Sequence, residues 1–324
     1  MLVFCTLFDS RYLSRGMAMY QSLGRYCNNF HLYIFAFDQA CYDFFYRNSF
    51  ANITVVSLAE FEDEELLRVK SSRTKGEYCW TCTSSTILYV LNHFKVDHCT
   101  YIDADLYFFS SPQVLIDEMG DASILLTEHR YTKEYDQTAT SGRYCVQFML
   151  FRNDDKGCAA LKWWRNKCLN WCYNRMEDGK FGDQKYLDDW ISRFEGVHVL
   201  KYLGGGVAPW NMQQYTFKNE SGIIIGHEIA SGEKFHLVFF HFHALQFITS
   251  NHFSPLAFYT MPCRATFKEV FKPYILNIKE IRKKFPLIMG CEQFYNYKHI
   301  IRYIISSVYH KHVKQELYYY KCVN

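Results

Sequence analysis

The stretch Tyr101-Ile102-Asp103-Ala104-Asp105-Leu106-Tyr107-Phe108-Phe109 sets two carboxylates two residues apart at the end of an apolar run. Along a strand, side chains alternate with a period of two, so Asp103 and Asp105 are expected to point the same way. Two carboxylates aimed at one spot repel each other unless a cation sits between them. Oxygen ligands in this number suit a hard divalent ion, Mn²⁺ or Mg²⁺, which keeps positions open for phosphate oxygens. The bland alternative is a pair of acidic residues capping the next turn. The apolar lead-in and the aromatic run that follows favour a metal site for a phosphate-bearing substrate.

The segments before this stretch alternate in character. Leu2–Phe8, Phe30–Phe37 and Ile53–Leu58 are short β-favouring runs. Between them and the next strand, His98–Ile102, lie Gly16–Leu23, Glu60–Lys70 and Ser84–Phe94 with helical patterning. This β-α-β order predicts an α/β fold with a mostly parallel, Rossmann-like sheet flanked by helices. Ligands of such sheets bind at the carboxyl ends of the strands, where Asp9, Asp38 and Asp103 all fall. Downstream, Val146–Phe151, Val197–Tyr202, Ile223–Ile225 and Phe235–Phe242 read as strands with mixed pairing. Ala159–Arg175 reads as a long Trp-rich helix, and Gly182–Trp190 as the start of another.

The chain has 324 residues, enough for one large α/β domain with an appendage. We place the main domain at 1–250 and a helical, basic and aromatic extension at 251–324. From Thr266 onward there are eleven Lys/Arg against four Asp/Glu, so the first 265 residues carry −4 of a total of +3. A basic tail with aromatic residues suits an anionic surface. In Tyr297–Tyr320, Lys298, Arg302, Lys311 and Lys314 sit among isoleucines, which fits either an amphipathic helix on an anionic membrane or a packed terminal helix. The 13 cysteines and the absence of a secretory leader point to a reducing cytoplasm. Cys79-x-x-Cys82 has no second such pair, so buried structural cysteines are expected. The Trp163, Trp164, Trp171, Tyr173 stripe is expected in the core.

Four motifs, in order over about the first 250 residues, resemble those of GT-A type glycosyltransferases, and most of all family 8, the family of glycogenin and lipopolysaccharide galactosyltransferases. Asp103-Ala104-Asp105 is similar to the family's Asp-x-Asp. Thr6-Leu7-Phe8-Asp9-Ser10-Arg11-Tyr12, followed by Gly16, resembles the segment that holds the nucleotide base and ribose. Gly182-Asp183-Gln184 resembles the Gly-Asp-Gln beside the reacting sugar. Phe239-Phe240-His241-Phe242-His243-Ala244 resembles the late strand whose His is the third metal ligand. The resemblance implies the GT-A nucleotide-diphospho-sugar fold, an ion (Mn²⁺, or Mg²⁺) on Asp103, Asp105 and His241, and Asp183 and Gln184 at the reacting centre. It also implies donor contacts through Thr6, Phe8, Asp9, Tyr12, Asp103, Ala104 and Asp105.

By residue spacing alone, His243 serves as ligand as well as His241, since i and i+2 share a strand face. A lone Asp-Gln is otherwise a helix cap. Gly204-Gly205-Gly206, with Asn211 shortly after it, reads either as a loop that lets donor or acceptor approach the main chain, here through Gly205 and Asn211, or as a strand connection. The family's Lys-Pro-Trp, whose Lys helps hold the diphosphate, is missing after Ala244. Arg11, Arg15, Lys70 and Arg73 are nearby basic residues without a means of choosing among them. A nucleotide-diphosphate sugar and a glycan or lipid-linked acceptor are the expected partners, with no nucleic acid. Surface polysaccharide or lipopolysaccharide assembly is the expected setting. Two alternatives are a phosphatase of the haloacid dehalogenase type and a degenerate protein that only binds nucleotide or sugar. The former wants its Asp-x-Asp on the first strand, with Thr or Val where this chain has Tyr107.

Overall fold

The computed structural model describes residues 1–247, 253–254, 259 and 262–292. The Tyr297–Tyr320 tail lies outside the described residues. Strand β1 (Leu2–Phe8) is buried along its whole length. Asp9 ends it and turns the chain, its side chain accepting from the Arg11 amide at 3.1 Å. Helix α1 (Leu13–Tyr26) then lies back over the strand with Met17, Ala18, Met19 and Leu23 inward. Gly16 makes that approach possible, since a Cβ there would stand 2.4 Å from the Phe8 ring. Asp38 opens helix α2 (Gln39–Asn48) by accepting from the Cys41 amide at 2.8 Å. The longest described helix, Lys75–His93, starts at a capping box of Thr74 and Glu77 and buries Tyr78, Cys82, Ile87, Val90 and Leu91.

The other strands of the main sheet are β2 (Phe30–Ala36), β3 (Ile53–Ser57), β4 (His98–Ile102), β6 (Ile124–Glu128), β7 (Tyr144–Arg152) and β8 (Val197–Val199). Their order is β3-β2-β1-β4-β7-β6-β8. The pairs among β3, β2, β1 and β4 are parallel, and so is β6–β8. Strand β7 runs against both neighbours. One face is covered by α1 and the C-terminal helices, the other by Lys75–His93 and Asp155–Asn170. The expected mostly parallel α/β sheet is therefore present, with the mixed pairing in the second half. A small antiparallel sheet joins β9 (Tyr215–Glu220), β10 (Ile223–Glu228) and β11 (Lys234–His236). A separate ribbon pairs β5 (Leu106–Phe108) with β12 (Phe239–His241).

Some boundaries differ from the sequence reading. The charged Glu60–Lys70 helix breaks, because Asp63 caps a new start at Glu64 by accepting from the Leu66 amide. The stretch Phe235–Phe242 divides at Leu237, and its two halves join different sheets. The helix expected from Gly182 is only a 3-10 turn, Gln184–Leu187, followed by Trp190–Arg193. Gly182 has φ +53°, which is not helical, and Asp183 provides no side-chain cap.

The cysteine and tryptophan expectations hold in part: Trp164 and Trp171 are buried but Trp163 and Tyr173 only half-buried, as is Cys79. Among the described residues the cysteines are free, and Cys82, Cys168 and Cys172 are fully buried. Burial pushes the Cys79 thiol up to about 12 and Cys82 well above its usual range, so neither is a ready thiolate. Trp164 and Trp190 are fully buried. The Lys272–Lys284 helix is bound into the same core as α1. Its Tyr274 stacks on Phe242 at 3.9 Å, and Asn277 donates to Gln21 at 2.8 Å.

Candidate metal centre

Strand β4 stops at Ile102, so Asp103, Ala104 and Asp105 form the tight turn into β5. The Asp103 carbonyl accepts from the Leu106 amide at 3.2 Å, closing that turn. The two carboxylates converge because of the turn and not through strand alternation, a correction to the reason given above. The turn is anchored on both sides. The Asp103 amide donates to the Gln147 carbonyl on β7 at 3.0 Å, and the Asp105 carbonyl accepts from the Phe242 amide at 2.9 Å.

The ribbon brings the third group. Its register sets His241 opposite Leu106, next to the turn. His241 Nε2 lies 3.1 Å from Asp105 Oδ1 and 3.6 Å from Asp103 Oδ2. One ligand atom from each of Asp103, Asp105 and His241 falls within 4.8 Å of the others. His241 Nδ1 is 2.8 Å from Gln147 Oε1. An amide oxygen only accepts, so Nδ1 carries the hydrogen and Nε2 faces the carboxylates. The Asp103 carboxylate also accepts from the Tyr101 hydroxyl at 3.1 Å. Sequence reasoning missed Gln147 and Tyr101. The signal for Gln147 was a lone amide inside the apolar run Val146–Phe151.

The electrostatics are those of a site made for a cation. Burial, with the neighbouring Asp105 charge, raises Asp103 to about 6 although His241 opposes it. Burial pushes Asp105 upward too, but His241 outweighs that and holds it down at about 2. For His241, burial favours the neutral ring, yet Asp105 and Asp103 raise it well above its ordinary range. A proton on His241 thus sits where a divalent ion would bring more charge. The donor set of two carboxylates and one imidazole fits Mn²⁺ or Mg²⁺, and the imidazole favours Mn²⁺. His243 stands outside the three-residue cluster, beyond the strand end, with ring centroids 5.6 Å from His241.

The remaining predicted residues are placed unequally. Asp183 is buried, 5 % exposed, and pushed up to about 7 by burial and, less strongly, by the Asp103 charge. Its side chain bonds Thr83, and its backbone carbonyl accepts from Trp164 Nε1 at 2.8 Å. Gln184 is half-buried beside it. Asp9 holds Arg11 at 2.8 and 2.6 Å, and the exposed Tyr12 follows on the same turn. Thr6 and Phe8 are buried within β1, and the Phe8 carbonyl accepts from the Phe37 amide at 2.9 Å. Ala104 is buried at the tip of the carboxylate turn. Gly205 packs on Leu115 and Leu200 and accepts from Arg130. Asn211 uses its amide on the Ala208 nitrogen and on the His129 and Gly206 carbonyls. These contacts clamp the glycine loop under β12, where Val207 O accepts from the His241 amide at 2.9 Å. The loop's glycine space is filled by the protein's own atoms.

Just past β12, Ala244 has φ +62°, a left-handed backbone in which a Cβ is strained. Ala244→Gly is therefore expected to stabilise the protein by about 1 kcal/mol. Urea denaturation measures this, and a lower midpoint would show that the methyl group contributes more by packing than it costs in strain.

The fold and the cluster define an α/β protein with a carboxylate–imidazole centre at the carboxyl edge of its parallel strands. The chain belongs to the family of the uncharacterized proteins YfnD and YfnF of Bacillus subtilis (strain 168). It is 33% identical to YfnD over 294 residues, covering 87% of this chain and 92% of that one. Identity to YfnF is 30% over 256 residues, covering 76% and 83%. No protein-family profile matches the chain. Among solved structures, mouse xyloside xylosyltransferase 1 overlaps 64% of this chain and 87% of its own, with TM-score 0.44 and 12% identity. A partial overlap of that kind carries no weight for function.

Proposed function

We propose that the protein is a metal-dependent glycosyltransferase of the GT-A type. It transfers a sugar from a nucleotide-diphosphate sugar to a glycan or lipid-linked acceptor. The observation that carries this reading is the convergence of Asp103, Asp105 and His241 on one point at the sheet's carboxyl edge. A divalent cation there, Mn²⁺ by preference, would offset the charge that builds on the leaving nucleoside diphosphate. Gln147 fixes the His241 ring so that Nε2 stays turned to the ion. The loop after β1, from Asp9 to Tyr12, lies at the same edge and is our candidate for the nucleoside contact, with Thr6 and Phe8 carried over from the resemblance. Gly205 and Asn211 support this reading only as clamps on β12.

Asp183 and Gln184 act on the sugar, stabilising positive charge at the anomeric carbon or placing the acceptor. We carry this over from the resemblance of Gly182-Asp183-Gln184, along with retention of configuration and a role in surface polysaccharide assembly. Residues 1–250 form the catalytic unit and 251–324 its extension. Among the described residues no helix is long and apolar enough to cross a membrane. We place the enzyme in the cytoplasm, with the basic tail touching the anionic inner face of the membrane.

The test is a thermal-shift screen of UDP- and GDP-sugars with and without Mn²⁺, followed by turnover of any sugar that binds. A transferase gives a metal-dependent shift and release of the nucleoside diphosphate. Binding without turnover means a degenerate binder. Phosphate release from phosphomonoesters, with no nucleotide-sugar binding, means a phosphatase.

A further inference from the structure

We propose that Arg15 is the phosphate-binding cation of this site and grips the diphosphate of the nucleotide. The inference rests on the nucleotide-sugar reading above and adds the residue that reading lacks. A divalent ion cancels the two charges of Asp103 and Asp105. The charge of a diphosphate then remains unbalanced. The segment carrying His241 offers nothing against it, because the sequence has no Lys or Arg between Lys234 and Arg264.

Arg15 stands in the first turn of α1. Its Nη2 donates to the Leu245 carbonyl at 3.2 Å, four residues beyond His241. Its guanidinium carbon lies 4.7 Å from the Tyr12 ring centre and 5.3 Å from that of Phe247. The head group is thereby pinned between the loop after β1 and the loop after β12, the segments that bound the carboxylate cluster.

Its charge has no carboxylate partner, unlike those of Arg11 and Lys70, and it reaches the His241 segment, which Arg73, held against Tyr173 and Leu169, does not. Among the described residues no carboxylate lies within ion-pair distance of Arg15. Arg11 is held by Asp9 at 2.6 Å and Lys70 by Glu62 at 2.6 Å. Arg73 stacks on Tyr173 at 3.9 Å and donates to the Leu169 carbonyl. Arg282, which also lies over the Phe247 ring, is buried against Glu292. A cation fixed by two rings and one carbonyl, with donors left over, is already ordered for a phosphate, and its planar fork matches phosphate oxygens.

The experiment uses the full chain and three probes: Mn²⁺ alone, Mn²⁺ with inorganic pyrophosphate, and Mn²⁺ with UDP or GDP. Arg15→Met keeps the packed stem and removes the charge, and Arg15→Lys keeps the charge and loses the fork. Calorimetry on the Met variant is expected to show affinity for Mn²⁺–pyrophosphate falling about thirtyfold, as for loss of charge-assisted hydrogen bonds, with part regained in the Lys variant. Affinity for Mn²⁺ alone stays within about twofold. Unchanged pyrophosphate binding by the Met variant overturns the role of Arg15 and leaves the metal site standing. Loss of Mn²⁺ binding together with a lowered melting temperature makes Arg15 structural and also overturns it. If the unaltered protein binds Mn²⁺ but neither pyrophosphate nor nucleotide, the nucleotide-sugar reading fails, and this inference with it.

Discussion

Asp105→Asn is expected to abolish Mn²⁺-dependent binding of a nucleoside diphosphate, weakening it at least about a hundredfold, while the protein stays folded. The change is isosteric but removes the charge nearest His241 Nε2, 3.1 Å away. The backbone contact that matters to the fold survives, since the Asp105 carbonyl still accepts from the Phe242 amide. The variant also loses the main charge that keeps a proton on His241, so that ring's pKa falls toward what burial dictates. Calorimetry with circular dichroism as the folding control decides the matter. Unchanged affinity, with the metal still required, would remove Asp105 from the centre.

Asp183→Asn is expected to lower the rate of sugar transfer by at least about a hundredfold, with nucleotide affinity changed far less. The reason is position: Asp183 is set apart from the metal ligands and assigned to the sugar. A rise in donor KM with normal kcat would contradict that assignment. The same variant has a signature in stability. In the metal-free fold the Asp183 carboxyl keeps its proton up to about pH 7, because burial penalises the anion. Unfolded, it lets the proton go near the ordinary aspartate value of 3.8. Between those values the folded state holds more protons, so stability falls as pH rises from about 4 to about 7 and then levels off. Asn cannot ionise, and metal-free Asp183→Asn should be more stable at pH 8 by about 4 kcal/mol, with equal stability near pH 4. Parallel urea curves at the two pH values that shift by the same amount would show that Asp183 is already ionised in the fold.

Much of this arrangement was legible because local chemistry and global fold agree. The apolar runs from Leu2 to Ile102 alternate with helical segments, and the parallel β3-β2-β1-β4 core follows from that order. The Asp-x-Asp pair and His241 were readable as a candidate ligand set, and the fold brings them together. The turn that makes the carboxylates converge was not, since apolar Ile102 and Leu106 flank it on both sides like one continuous strand. The short-lived helix after Gly182 was misread because a glycine at φ +53° cannot be told from a helical one by pattern. Gln147 was invisible as a partner until β7 was seen to lie beside β4. The choice of Arg15 over Arg11, Lys70 and Arg73 needed their carboxylate and ring partners, which lie at varied distances along the chain. The role expected of Asn211 and Gly205 faded for the opposite reason: their polar or open atoms are taken up by the chain itself.

The pairing of β5 with β12 ties residue 106 to residue 241, far along the chain. During synthesis the two aspartates leave the ribosome long before the histidine does. A nascent chain that ends short of β12 has all the strands of the main sheet and no complete ion cage. An ion bound there would act as a late rivet: it would slow the unfolding of a completed molecule and do little to speed its assembly.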